Sequence, residues 1–131
     1  MEYSLLQRGP ERSGLLAACR DLGVTLIAYS PLGQGLLTGK YTAEHPPPGA
    51  RRRRARRLDR IEPLIGLLRQ IGEAHGGKTP AQVALNWAIC KGTVPIPGAK
   101  NARQAGDNAG ALGWRLADDE VAALDAASEA L

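Results

Sequence analysis

The run Val24-Thr25-Leu26-Ile27-Ala28-Tyr29 constrains the fold of this chain more than any other segment. It is rich in apolar and β-branched residues and shows no polar alternation. That is the pattern of a strand covered on both faces, as in parallel sheets flanked by helices. Ahead of it, Leu15, Leu16, Cys19 and Leu22 fall at helical spacing, and Gly23 ends the helix. Earlier still, Glu2–Leu6 reads as a short strand ending in the turn Arg8-Gly9-Pro10, with Pro10 placed where a helix can begin. The opening is therefore β-α-β, a unit whose crossover is right-handed.

Ser30–His45 has no periodicity and contains Pro31, Gly33, Gly35 and Gly39, so it reads as a structured loop. The helix-free stretch Pro46-Pro47-Pro48-Gly49 continues it. A helix is predicted from about Leu58 to His75, with Ile61, Leu64, Ile65, Leu68 and Ile71 on one face. Pro63 falls in its first turn or marks its start. Gly76-Gly77 breaks that helix. Thr79 and Pro80 then supply an N-cap and a first helical residue for the next one, which Val83, Leu85, Trp87, Ala88 and Ile89 fill and Gly92 ends. Thr93–Ile96 reads as a very short strand stopped by Pro97-Gly98. Asn101 caps a helix running to Leu112, and a last helix covers Asp118 to Ala130 with acidic residues in its first turn, facing the positive end of the helix dipole. Strands alternating with helices make the class α/β with a parallel sheet. Three strands are few for such a sheet and leave an edge uncovered. A single domain over residues 1–131 that forms only part of a larger sheet is the expectation.

An apolar share of 44% in 131 residues suits one globular domain, and with no Phe its core must rest on Leu, Ala, Ile and Val. The net charge of +4 is local in origin. Arg51, Arg52, Arg53, Arg54, Arg56 and Arg57 supply six positive charges, more than the whole excess. This run reads as a solvated loop. It lacks the interleaved aromatics and the recognised module of a nucleic-acid interface, so no nucleic-acid partner is expected. Cys19 and Cys90 sit in apolar, helix-like contexts without CxxC spacing. They read as buried free thiols in a reducing compartment, not as a metal site or disulfide framework. His45, in a loop, and His75, at a helix end, read as solvent-exposed. No apolar run approaches the ~20 residues of a membrane helix, and a polar, strand-like segment follows Met1 where a secretion signal would be apolar.

Two loops that follow predicted strands carry the chemistry, because ligands of parallel α/β folds bind at the carboxyl ends of strands. In the loop from Tyr29 to Tyr41, glycines allow close backbone approach, Ser30 adds a hydroxyl and Lys40 a positive charge. That set suits a phosphate or pyrophosphate, and it equally suits a plain structured loop. In the second, Val94 to Asn108, a strand passes through Pro97-Gly98 into a helix start beside Lys100, which is the make-up of an anion site. Gln104, Asp107 and Asn108 share one helix face. An ordinary capped helix with a polar face accounts for that spacing as well.

The blocks Glu2-Tyr3-Ser4-Leu5-Leu6, Tyr29-Ser30-Pro31-Leu32-Gly33-Gln34-Gly35 with Thr38-Gly39-Lys40-Tyr41, Thr79-Pro80-Ala81-Gln82-Val83-Ala84-Leu85-Asn86-Trp87, and Ile96-Pro97-Gly98-Ala99-Lys100 with Asn108 resemble the aldo-keto reductase superfamily in family order. The Pro-rich turn and Ala111-Leu112-Gly113-Trp114 lean toward its plant plastid branch. The resemblance implies the carboxy-terminal part of a (β/α)8 TIM barrel and an NADPH cofactor that reduces aldehydes and ketones. By position, Tyr29 or its neighbour would stack near the nicotinamide. Ser30, Pro31, Leu32 and Gly35 would line the pyrophosphate, and Lys40 and Arg51 would reach the phosphates. Gly98 and Lys100 would hold the adenosine 2′-phosphate with help from Gln104, while Asp107 and Asn108 would bind the adenine. Asp107 stands where the family often has Glu, which shortens that reach.

The family's catalytic Asp, Tyr, Lys and His motifs do not occur here, so no catalytic residue is assigned. A complete barrel needs ~250 residues, about twice this chain. The resemblance therefore implies a domain truncated at the amino terminus that has little or no activity alone and whose open barrel edge leaves it either unstable or dimeric. Any transit peptide would lie upstream, with a chloroplast or cytoplasmic location. The competing expectations are a non-catalytic NADPH-binding or partner-binding module of the same family, and a nucleic-acid binder using Arg51–Arg57.

Overall fold

The computed structural model describes residues 1–42, 44–49 and 58–131. Arg51 and the rest of the arginine run lie outside the described residues. Two short helices, α1 (Gly9–Arg12) and α2 (Leu15–Asp21), precede strand β1 (Leu26–Tyr29). After a loop with one 3-10 turn at Leu36–Thr38 come α3 (Leu58–Ala74) and α4 (Pro80–Cys90), then strand β2 (Thr93–Ile96). Helices α5 (Ala102–Ala109) and α6 (Asp118–Glu129) complete the order. β1 and β2 pair in parallel with Leu26 opposite Thr93 and Tyr29 opposite Ile96.

The helices pack on one side of this small sheet. In α3, the spacing of Leu58, Ile61, Leu64, Ile65, Leu68 and Ile71 turns a single face inward, and all six are buried. They meet Leu37, Val83, Ala84, Trp87 and Leu124 in one core. Each fully buried Leu or Ile stabilises the fold by roughly 1.5–3 kcal/mol. Pro63 lies in the second turn of α3, not in its first turn or at its start. It is exposed, so its ring meets water rather than the core. Thr79 caps α4 as its side chain predicts. Its hydroxyl accepts from Gln82 N at 3.2 Å, and Gln82 Oε1 accepts from Thr79 N at 3.0 Å.

The turn between α3 and α4 winds tightly around Gly72, whose carbonyl accepts from the N–H groups of Gly77 and Lys78. A Cβ on Gly72 would lie 2.0 Å from the carbonyl oxygen of Lys78. Backbone cannot rotate out of the way as a side chain can. Gly72→Ala is therefore expected to cost about 3 kcal/mol in chemical denaturation, and an unchanged midpoint would contradict this packing.

Several expectations need correction. Glu2–Leu6 is not a strand: Glu2 makes one parallel bridge to Tyr29, and the chain then turns back so that Ser4 and Gln7 exchange hydrogen bonds. The Ser4 hydroxyl, accepting from Leu6 N, favours that turn. β1 is buried on one face only. Leu26 and Ala28 are covered, while Ile27 is 57% and Tyr29 50% exposed, as are Val94 (49%) and Ile96 (53%) beside them. In a (β/α)8 barrel, alternate strand residues fill the barrel interior, and these four occupy that face. Cys19 and Cys90 are free but half-buried, not buried. His75 is half-buried, bonded through Nε2 to the Glu120 carboxylate at 2.8 Å and packed on Trp114, so it is not solvent-exposed. α5 ends at Ala109, short of Leu112.

Behind the sheet, a charged cluster joins the first helix to the last. Glu11 accepts from the Tyr3 hydroxyl at 2.6 Å and from Arg8 Nε at 3.0 Å and Nη2 at 2.6 Å. Arg8 also reaches the Asp125 carbonyl at 3.0 Å and the Glu129 carboxylate at 3.0 Å. Asp125 accepts from Trp87 Nε1 at 2.9 Å, and Lys91 lies between Asp125 and Glu11. Burial opposes the charge on Glu11, but the hydrogen bonds from Arg8 and Tyr3 and the charges of Lys91 and Arg8 outweigh it and hold the carboxyl down at about 2. Burial first, and then its bond to Glu11, pushes the Tyr3 hydroxyl well above the ordinary range, so it remains a donor.

Candidate functional site

Because β1 and β2 are parallel and Tyr29 pairs with Ile96, the segments that follow them leave the sheet side by side. Both predicted loops therefore sit at the carboxyl edge. Tyr29 ends β1 with its ring half-exposed on the uncovered face, and it stacks on no other ring among the described residues.

Ser30 begins the first loop at φ 51°, in the left-handed region, and Gln34 follows at φ 57°. Non-glycine residues pay of order 1 kcal/mol for that conformation, and such positions concentrate at ligand-binding loops. Nothing in the sequence marks Ser30 for it. The bends form successive turns, with Gly33 N donating to Ser30 O at 2.9 Å and Gly35 N to Leu32 O at 3.1 Å. The N–H groups of those two glycines are thus engaged inside the loop. Those of Leu32 and Gln34 have no partner among the described residues. Pro31 is buried, and Leu32 and Gly35 are half-buried. A Cβ on Gly35, whose φ is 92°, would come within 3.3 Å of the Tyr41 ring. Lys40 is exposed, its Nζ 5.7 Å from the centre of the Tyr41 ring. It follows Gly39, whose carbonyl accepts from Arg69 Nη2 at 3.3 Å and where a Cβ would lie 3.5 Å from Pro80 at the start of α4.

The second loop is folded back on its own helix. Asn101 caps α5 by accepting from Gln104 N at 2.9 Å. Gln104 Oε1 accepts from Lys100 N at 2.8 Å, and Asn108 Nδ2 donates to Gly98 O at 3.3 Å. Gln104 and Asn108 thereby fix the path of Gly98–Lys100. Lys100 is exposed, forms no ion pair among the described residues, and directly precedes Asn101, the N-cap of α5. Asp107 is exposed, its carboxylate 3.9 Å from Arg103 Nε. The pairing of Tyr29 with Ile96 thus sets the start of the first loop, Tyr29 and Ser30, beside the segment that carries Gly98, Lys100, Gln104 and Asn108, while Lys40 lies further along the first loop.

Two polar residues that sequence spacing assigns only to helix α4 hold this edge in place. Gln82 Nε2 donates to Asp107 O at 2.8 Å. Asn86, 1% exposed, donates to Ala111 O at 3.0 Å and Trp114 O at 2.9 Å and accepts from Leu116 N at 3.0 Å. A polar residue at a buried position of an apolar helix was the available signal for Asn86. Gln82 had only the capping-box spacing. A cavity of about 500 Å³ between the Glu2–Arg8 segment, Leu36, Arg60 and Leu131 includes none of the predicted site residues. The predicted site is instead an open edge, bounded on one side by the uncovered sheet face.

Comparison with known proteins gives these features a setting. A model described as the Aldo/keto reductase family matches residues 1–129. The chloroplastic pyridoxal reductase of Arabidopsis thaliana is 48% identical over 130 residues, covering 98% of this chain and 35% of the relative. An NADP(+) aldo-keto reductase of Schizosaccharomyces pombe is 35% identical over 131 residues, covering 92% and 38%. A solved thermostable aldo-keto reductase, in complex with the inhibitor epalrestat, superposes with a TM-score of 0.72 at 31% identity, over 96% of this chain and 38% of that one. The chain thus spans well under half the length of these relatives.

Proposed function

This chain belongs to the aldo/keto reductase family, its fold is part of a (β/α)8 barrel, and from that premise we propose that it is the cofactor-binding portion of an NADPH-dependent reductase of aldehydes or ketones. The observation that carries this reading is the assembly of an unpaired Lys100 ammonium, the α5 start and the strained Ser30 turn along one carboxyl edge beside an open Tyr29 ring. The chemistry of that set fits the cofactor. A cation and helix N–H groups suit the 2′-phosphate, the free N–H groups of Leu32 and Gln34 suit a pyrophosphate, and a free aromatic face suits a nicotinamide. NADPH supplies a hydride to a carbonyl carbon when it is bound. The residues of this chain bind and orient it: Ser30, Pro31, Leu32, Gly35 and Lys40 along the phosphates, with Gly98, Lys100, Gln104, Asp107 and Asn108 around the adenosine. Arg51 belongs to the same proposal for the phosphates. The proton donor and the carbonyl pocket come from the amino-terminal units of the barrel, whose strands also cover Ile27, Tyr29, Val94 and Ile96. Alone, the chain has little or no turnover and pairs with a second copy through the uncovered edge.

Lys100→Ala tests this reading. An ammonium–phosphate hydrogen bond is worth roughly 1.5–3 kcal/mol, so NADPH affinity should fall by about 10- to 100-fold while NADH affinity barely moves. Fluorescence titration of both nucleotides measures it. Equal losses for the two, or no NADPH binding by the parent chain, would overturn the assignment. Pyridoxal is the first carbonyl to supply with the complete barrel, given the name of the Arabidopsis relative. NADPH binding without turnover over a broad aldehyde panel would favour a non-catalytic module.

A further inference from the structure

We propose that Gln82 is a positioning residue for the nucleotide site: from helix α4 it sets the placement of α5, and through α5 the loop at Gly98–Lys100. The proposal rests on the cofactor reading given above. Helix α5 has eight residues and none of them is buried. Burial of apolar side chains, the ordinary glue of a helix in a domain, therefore contributes little to holding it. Its location depends on polar links. At its carboxyl end the Asp107 carbonyl, which also takes a 3.2 Å bond from the C-cap N–H of Gly110, accepts from Gln82 Nε2 at 2.8 Å. Just beyond, Ala111 O accepts from Asn86 of the same α4 helix. At its amino end Gln104 Oε1 and Asn108 Nδ2 hold Lys100 N and Gly98 O. A shift of α5 thus carries the Lys100 loop with it.

Gln82 performs two separable tasks with two different atoms. Oε1 closes the capping box of α4 on Thr79 N, while Nε2 reaches α5. The space for that reach is created by Gly110, where a Cβ would fall 2.2 Å from Gln82 Nε2. A glycine is used here for close approach and not for its backbone freedom, since its φ is −63°.

The two tasks allow a crossed test on the whole chain. Gln82→Glu keeps an acceptor for Thr79 N and loses the donor to Asp107 O. It should leave the melting temperature within about 2 °C of the parent and weaken 2′,5′-ADP binding about fivefold to tenfold. Gln82→Lys keeps a donor toward α5 and loses the cap. It should lower the melting temperature and leave 2′,5′-ADP affinity within about twofold. Gly110→Ala, by displacing Gln82, should repeat the Gln82→Glu binding defect. Hydrogen exchange provides a readout that needs no ligand: in Gln82→Glu the amides of residues 105–109 should exchange faster, while those of 84–88 stay protected. Unchanged 2′,5′-ADP affinity in Gln82→Glu, or unchanged exchange in α5, overturns the proposal. If the parent chain binds no 2′,5′-ADP, the cofactor reading is what fails, and exchange in α5 alone decides whether Gln82 anchors this helix.

Discussion

Asn86→Leu is expected to destabilise the protein by about 3–5 kcal/mol, although leucine has the same heavy-atom count and branching as asparagine. The side chain is buried and satisfies three backbone groups at once, Ala111 O, Trp114 O and Leu116 N. Leucine fills the space and leaves all three without partners in a region that water reaches poorly. Each unsatisfied group costs about 1–3 kcal/mol, and the local chain can relax to recover only part of that. At about 4 °C per kcal/mol, the melting temperature should fall by more than about 10 °C. Because the three groups lie just after α5, the amides of the 111–116 segment should also lose exchange protection ahead of global unfolding. A loss below about 1 kcal/mol would mean that these hydrogen bonds do not hold the segment.

The second large effect concerns acid. The Glu11 carboxyl ordinarily titrates at 4.5 and is held at about 2 by Arg8, Tyr3 and Lys91. Its native form therefore takes up a proton less readily than its unfolded form. The stability that follows is fully present above about 4.5 and is lost as pH falls from there toward 2. The shift corresponds to about 3 kcal/mol at most, reduced by solvent screening of this partly exposed group to on the order of 2 kcal/mol and shared among the partners of the cluster. Glu11→Gln should lose about that amount at pH 7, since the amide cannot pair with Arg8 by charge. Near pH 2 the two proteins should converge, because the parent carboxyl is by then half protonated. Urea denaturation at a series of pH values gives both curves. Parallel curves across the acid range would show that the Glu11 charge is not what joins α1 to α6.

Much of the local structure is legible in the chain. Thr79 and Asn101 announce their caps because capping is a contact between residues three apart. The apolar face of α3 follows from spacing within one helix, and the strand Thr93–Ile96 from its flanking Gly92 and Pro97-Gly98. The residues of the proposed cofactor edge come from the family blocks, which place them in order along the sequence. What escaped local reading is of another kind. Glu2–Leu6 has strand composition, yet Ser4 closes a turn on Gln7. Ser30 has no feature that predicts a left-handed backbone, which the turns after it impose. His75 at a helix end looks solvated, and only the approach of Glu120 and Trp114 from more than 35 residues away covers it.

The run at Val24–Tyr29 separates the two sources of information. Its composition established a strand in a parallel α/β sheet, because β-branched apolar residues fit a pleated surface whatever later covers it. Composition records the burial a residue has in the complete fold, so it read as covered on both faces. Packing assigns Leu26 and Ala28 to the helical layer and leaves Ile27 and Tyr29 on the face that fills the interior of a closed barrel. Likewise Pro97-Gly98 and Lys100 ahead of a helix start suggest an anion site, and Gln104 and Asn108 a polar helix face. The placement of that helix was not contained in them. It depends on Gln82 and Asn86, 25 residues away from Asp107 and Ala111, and such contacts exist only once α4 and α5 are packed together.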